Sequence, residues 1–254
     1  MIERFNPKRI KEIIRLSFSI AKANFKTRNQ GSFLGIFWYL LEPLLFFIIL
    51  MTIRSAFNSD IEHYGLYLFL GLIMFNLFSK STNAAVNSLI GNAKFIKSIK
   101  ISYVALVLSA LIQVLLGHLF EIILFILLMV YYSIPISGII FYPIILVSFI
   151  LFTLGISLFL SVVGVHIKDI SNIWNVFTRV VWFGTPIFYV ISSESIRGLL
   201  NPIYYFIKTA REIVIYGTIP EVKWIIGIII FPIISIIIGY IFFNIFRKGI
   251  AEKI

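Results

Sequence analysis

Long, uninterrupted apolar runs separated by short charged stretches dominate the chain. A helix needs about 20 apolar residues to cross about 30 Å of hydrocarbon. Six segments meet that demand, at 34–57, 64–80, 103–131, 140–165, 172–190 and 224–246. The runs are continuous and do not alternate as barrel strands do, so they predict helices. The expected architecture is all-α and membrane-embedded, a single domain over residues 1–254 with six transmembrane helices.

Three stretches break this pattern. In residues 1–30, Ile10, Ile14, Phe18, Ala21 and Phe25 recur at helical spacing, while Lys11, Arg15, Lys22 and Lys26 occupy another face. That order predicts an amphipathic helix in the membrane surface rather than a signal peptide, with a solvated basic helix as the alternative. Residues 91–102, GNAKFIKSIKIS, carry Lys94, Lys97 and Lys100 at three-residue spacing beside Phe95 and Ile99. The segment is too charged for lipid and too short for a domain. Between the fifth and sixth runs, residues 189–224 are amphipathic and interrupted by Asn201–Pro202, Gly217 and Pro220. Two short helices over 193–216 are expected there, either dipping into the outer leaflet and returning or resting on the outer surface.

Composition sharpens the class. The chain has 254 residues, 60% hydrophobic and 13% charged, with no cysteine, which removes disulfides and thiolate metal sites. His63, His118 and His166 are scattered, so no metal site is expected, and no GxxxxGK[ST] phosphate loop occurs. No catalytic residues are assigned. The net charge of +11 is concentrated before the first run, between the second and third, and after the last. The outer loop instead holds Asp60 and Glu62, so both termini are expected in the cytoplasm. That excess fits topology and anionic membrane lipids, and needs no nucleic-acid partner.

Ionisable residues inside spans are expensive and mark function. Arg179 lies about 10 Å into the fifth run and Glu42 about 12 Å into the first, which predicts a contact between them. Glu121, about 27 Å along the third run, is expected to face Arg54 instead. One face of the fifth run carries Asn172, Asn175, Arg179, Trp182 and Pro186 at spacings of three, four, three and four. Lipid would not select that face. Phe37, Trp38, Tyr39, Glu42 and Phe46 add an aromatic and polar group on the first run, although Trp38 and Tyr39 also suit interfacial anchoring.

The basic N-terminal helix followed by GSFLGIFWYLLEPL at 31–44, KDI at 168–170, TPIFY at 185–189, NP at 201–202, and Arg211 before a Gly-x-x-Pro turn at Gly217 resemble, in the same order, the motifs of ABC-2 membrane subunits. The resemblance spans nearly the whole chain and is nearest to O-antigen exporter permeases of the Wzm type. Lys168–Asp169 stands where that family usually has Arg-Asp, and its frequent proline near Lys100 to Ser102 is replaced.

The resemblance implies a non-enzymatic permease of the inner membrane. Two copies would pair around a channel that exports undecaprenyl-diphosphate-linked polysaccharide, bordered by the first and fifth spans. Two separate ATPase subunits would supply ATP and Mg²⁺ chemistry, docking on Asn92, Lys94, Phe95, Lys97, Ile99 and Lys100. Lys26 and Arg28 would receive the lipid pyrophosphate, and Ile196, Leu200, Tyr205 and Arg211 would belong to an outer gate. Teichoic-acid or capsule exporters and drug or lipid exporters share the plan; an ATP-independent channel or carrier is the reading from another class.

Overall fold

The computed structural model describes residues 7–30, 33, 35–53, 61–98, 101–191, 195–247 and 249–254, and the described residues form helices and loops. In chain order these are α1 (Pro7–Asn29), α2 (Trp38–Thr52), α3 (Tyr64–Val86), α4 (Ala93–Ser98), α5 (Tyr103–Tyr131) and α6 (Tyr142–His166), then α7 (Ile170–Gly184), α8 (Ile196–Leu199), α9 (Pro202–Val214), α10 (Val222–Phe246) and α11 (Ile250–Lys253). Short 3-10 turns lead into α2, α4 and α6.

Five of these helices, two extended by their leading 3-10 turns, are long and apolar enough to cross a membrane: Gly35–Thr52, α3, α5, Ile136–His166 and α10. The fifth expected run, 172–190, is instead the 15-residue α7. At 1.5 Å per residue it reaches about 22 Å, short of the hydrocarbon thickness. Its end follows from its sequence: Thr185 is extended and Pro186 has no N–H to continue the ladder.

The centre of the bundle is α3, with 83% of its span window buried. Phe78 packs on Phe149 and Phe152 of α6, and both of those rings meet Phe206 of α9, at 4.9 and 5.3 Å. One aromatic cluster therefore joins three helices. On the other side, α6 and α10 approach closely because Gly155 and Gly239 face each other; a Cβ on Gly239 would lie 2.0 Å from the Gly155 carbonyl oxygen. Ser235 Oγ donates to Phe152 O at 2.7 Å across that contact, and Ser148 Oγ donates to Ile228 O. Small residues and serine bridges are how helices associate where lipid removes the hydrophobic drive.

A second apolar cluster lies at the end of the bundle near the termini, where Leu89, Ile96, Leu106, Val162, Phe243 and Ile250 bring the α3–α4 connection, α5, α6, α10 and α11 together. Along the same end α1 lies against α5, burying Ser17 and Ala21 and leaving Ile10, Ile14 and Phe18 exposed. The stripe read from periodicity is thus divided: Ile10, Ile14 and Phe18 face away from the protein, while Ala21 is buried and Phe25 stacks on Tyr39. A bilayer surface would cover the three exposed residues.

Candidate functional site

α7 and α2 are the least enclosed of the longer apolar helices. Thr178 is the only α7 residue buried among those described, and Asn172, Asn175 and Arg179 all stand exposed on one side, with Val176 and Phe183 beside them. The helix is held to α3 by Trp174, whose Nε1 donates to Thr82 Oγ1 at 2.9 Å. That anchor was invisible to periodicity, because it joins residues 92 positions apart. Trp182 is partly buried, with its ring 4.8 Å from Phe183 and 5.3 Å from Phe188.

Glu42, Phe46, Arg179 and Trp182 border one cavity of about 470 Å³ between α2, α3 and α7. Phe37 and Trp38 stand exposed beyond it, while Tyr39 is stacked between Phe25 and Phe120 at 5.4 and 6.4 Å. Pro186 is not on this face. It is buried, with its carbonyl turned to Arg211.

Glu42 and Arg179 share the cavity but do not pair, which corrects the expected contact. Lys80 Nζ donates to Glu42 Oε2 at 2.8 Å, because α3 continues past residue 80 to Val86 and carries this lysine inside the bundle. Its ammonium also lies 3.8 Å from Glu121 Oε1. Glu121 in turn accepts from His118 Nδ1–H at 2.8 Å, and His118 Nε2 accepts from the Tyr142 hydroxyl at 2.9 Å. The carboxylate can only accept, so it fixes the proton on Nδ1 and leaves Nε2 free for the phenol. Arg54, the partner expected for Glu121, lies outside the described residues. Glu121 and Glu42 thus meet at the Lys80 ammonium, which brings a residue of the 29-residue α5 to the start of α2.

The segment expected to meet an ATPase folds as a 3-10 turn, Ile90–Asn92, followed by α4. Lys94, Phe95 and Lys97 point outward, and Ile96 fastens the helix to the terminal cluster. Asn92 Nδ2 donates to Ser88 O at 2.7 Å, closing the turn. Ile99 and Lys100 lie outside the described residues. Lys26 and Arg28 are exposed near the C-terminal end of α1, the Arg28 guanidinium 5.8 Å from the Tyr39 ring centroid.

At the opposite end, α9 packs over α3 and α8 packs against α9. Asn201 caps α9 by accepting from Ile203 N–H at 3.1 Å and ties it to α7's end by donating to Thr185 Oγ1 at 2.8 Å. Ile196 and Leu200 are exposed; Tyr205 is buried against Trp224 and Phe231 at 4.7 and 4.9 Å. Arg211 is 2% exposed. It donates to the carbonyls of Tyr67, Pro186 and Ile187 at 3.0, 2.7 and 2.8 Å, and its guanidinium lies 3.3 Å over the Tyr67 ring. Gly71 makes room for it, since a Cβ there would sit 2.3 Å from Nη2.

Comparison with known proteins places this architecture. The chain is similar along 94% of its length to an O-antigen export system permease protein RfbA of Myxococcus xanthus, at 23% identity and covering 95% of that protein. Two permeases of the same description from Klebsiella pneumoniae are 26% and 28% identical, each alignment covering 92% of both chains. The family model of the ABC-2 type transporters matches residues 15–215, so the chain belongs to the ABC-2 type transporter family.

Proposed function

We propose that this chain is the membrane-spanning permease of an ATP-driven exporter that moves lipid-linked polysaccharide out of the cytoplasm. Two copies would enclose the path, and two separate ATPase subunits carrying ATP and Mg²⁺ would bind beneath them. The observation that carries this reading is the uncovered face of α2 and α7, where Glu42, Phe46, Arg179 and Trp182 gather about one cavity in a chain otherwise suited to lipid. A single copy leaves that face without a neighbour, and a second copy would turn it into one wall of a passage.

The chemistry suits a glycan. Sugar rings present apolar C–H faces that stack on aromatic side chains, and a series of weak contacts permits sliding where one tight site would arrest it. Lys26 and Arg28, exposed near the end of α1, would receive the carrier's pyrophosphate as charge-assisted partners. α4 would fit a groove on the ATPase through Phe95, with Lys94 and Lys97 fixing register. On this reading both termini face the cytoplasm and the membrane is crossed six times. The sixth crossing would combine α7 with the segment from Thr185 to Ile191 that follows it. α8 and α9 form the outer cover.

Reconstitution with a candidate ATPase tests the proposal. Hydrolysis and glycan export should require both proteins, and lipid-linked glycan should stimulate the hydrolysis. Transport by the permease alone would overturn it in favour of a channel or carrier.

A further inference from the structure

A second cavity, of about 440 Å³, opens between α1, α2, α3 and α5 and shares Glu42 with the cavity at the α7 face. Resting on the exporter reading, we infer that this cavity is a subsite for one uncharged sugar ring of the glycan, and that the carrier's diphosphate is held outside it.

Charge balance is the first reason. The cavity has two cations, Arg28 and Lys80, against two carboxylates, Glu42 and Glu121. Lys80 lies between both carboxylates, at 2.8 Å from Glu42 and 3.8 Å from Glu121, so its positive charge is already used. A diphosphate entering here would meet two anions and only the guanidinium at the rim. That repulsion disfavours it. A neutral polyol carries no such penalty, and carboxylates are strong acceptors for its hydroxyls.

Unmet hydrogen-bonding capacity is the second reason. Tyr39 and Asn83 both line the cavity. Tyr39 Oη and Asn83 Oδ1 are enclosed with no hydrogen-bond partner among the described residues, so a small turn of each side chain would present it to a ligand. The Asn83 amide is oriented by Nδ2 donating to Ser79 O at 2.8 Å, so Oδ1 is the atom left over. One is a hydroxyl, the other an acceptor only. A ligand rich in hydroxyls satisfies both, whereas a phosphate oxygen can accept from Tyr39 and offers Asn83 nothing.

Shape is the third. Tyr39 lies flat on α5 because Gly117 has no side chain; a Cβ there would come within 2.4 Å of Tyr39 Cδ1. Trp38 stands exposed at the border, an indole face suited to the C–H side of a pyranose. Arg28 sits at the α1 edge of the same cavity, which places a diphosphate just outside and the sugar inward of it.

The test compares binding of two probes to the full chain with its ATPase in lipid nanodiscs: farnesyl diphosphate carrying a single hexose, and farnesyl diphosphate alone. The sugar-bearing probe should bind about tenfold more tightly, the worth of one or two hydrogen bonds. Asn83→Leu should erase that preference. Glu42→Gln should weaken the sugar-bearing probe and strengthen the bare diphosphate, because it removes one negative charge. This variant carries the test if Asn83→Leu fails to fold, since Glu42 is half exposed. Equal binding of both probes to the wild type, or a preference untouched by Glu42→Gln, overturns the subsite. Failure of the exporter reading shows differently, as wild-type hydrolysis indifferent to lipid-linked glycan.

Discussion

Arg211 has no carboxylate partner among the described residues, yet its charge is enclosed by protein. Three main-chain carbonyls and the face of Tyr67 replace water around it, and they belong to α3 and to the segment that follows α7. One side chain thus staples three parts of the outer end. Replacing it with the shorter Gln, which has two N–H donors for three carbonyls, leaves at least one without its side-chain donor, and each buried carbonyl left unmatched costs about 1–3 kcal/mol. We expect Arg211→Gln to lower the melting temperature of the detergent-purified protein clearly, and Arg211→Lys to lower it less, because an ammonium keeps donors but loses the planar fork. Unchanged melting in Arg211→Gln would remove the staple and favour a purely gating role. The sequence marked Arg211 only by its place before the Gly-x-x-Pro turn at Gly217. It could not name the partners, since a backbone carbonyl leaves no trace in residue identity.

Among the elements, those whose burial is decided by lipid were legible and those decided by other helices were not. Hydropathy found α5, α6 and α10 nearly to the residue, because a lipid-facing helix must be apolar along its length. It stopped α3 at residue 80, whereas the helix runs on through Ser81, Thr82 and Asn83 to Val86. Protein surrounds that last turn, and Thr82 Oγ1 and Asn83 Nδ2 return hydrogen bonds to the helix backbone. Matching depth likewise brought Glu42 and Arg179 to one cavity but could not see Lys80 between the helices.

α4 shows the same division within six residues: Phe95 is 58% exposed and its neighbour Ile96 is buried. Phe95→Asp should therefore leave folding and insertion intact while abolishing glycan-stimulated hydrolysis by the bound ATPase. Ile96→Asp should reduce the yield of folded protein, because it places a charge in the terminal apolar cluster. Full stimulation in Phe95→Asp would show that α4 does not carry the coupling.

At the scale of the whole molecule, two exposed surfaces differ in kind. α10 is only 17% buried over its span window, and Ile229, Ile233, Ile237 and Ile241 are exposed along it, a surface that lipid tails cover at no cost. The exposed side of α7 has Asn172, Asn175 and Arg179, and α2 adds Glu42 near its start, groups that hydrocarbon would penalise by about 2.5–3.5 kcal/mol for a charge at mid-membrane. On the proposed reading the second copy packs against α2 and α7, and lipid against α10. The chain has no cysteine, so each introduced thiol reports a single position. Val176→Cys on α7 and Ile48→Cys on α2, alone or paired, should give covalent dimers with a short bis-maleimide in membranes, because both positions are exposed on the uncovered helices. Ile237→Cys should stay monomeric on denaturing gels. Dimers from Ile237→Cys and none from α2 or α7 would put the contact on the isoleucine face and leave Asn172, Asn175 and Arg179 without a passage to line.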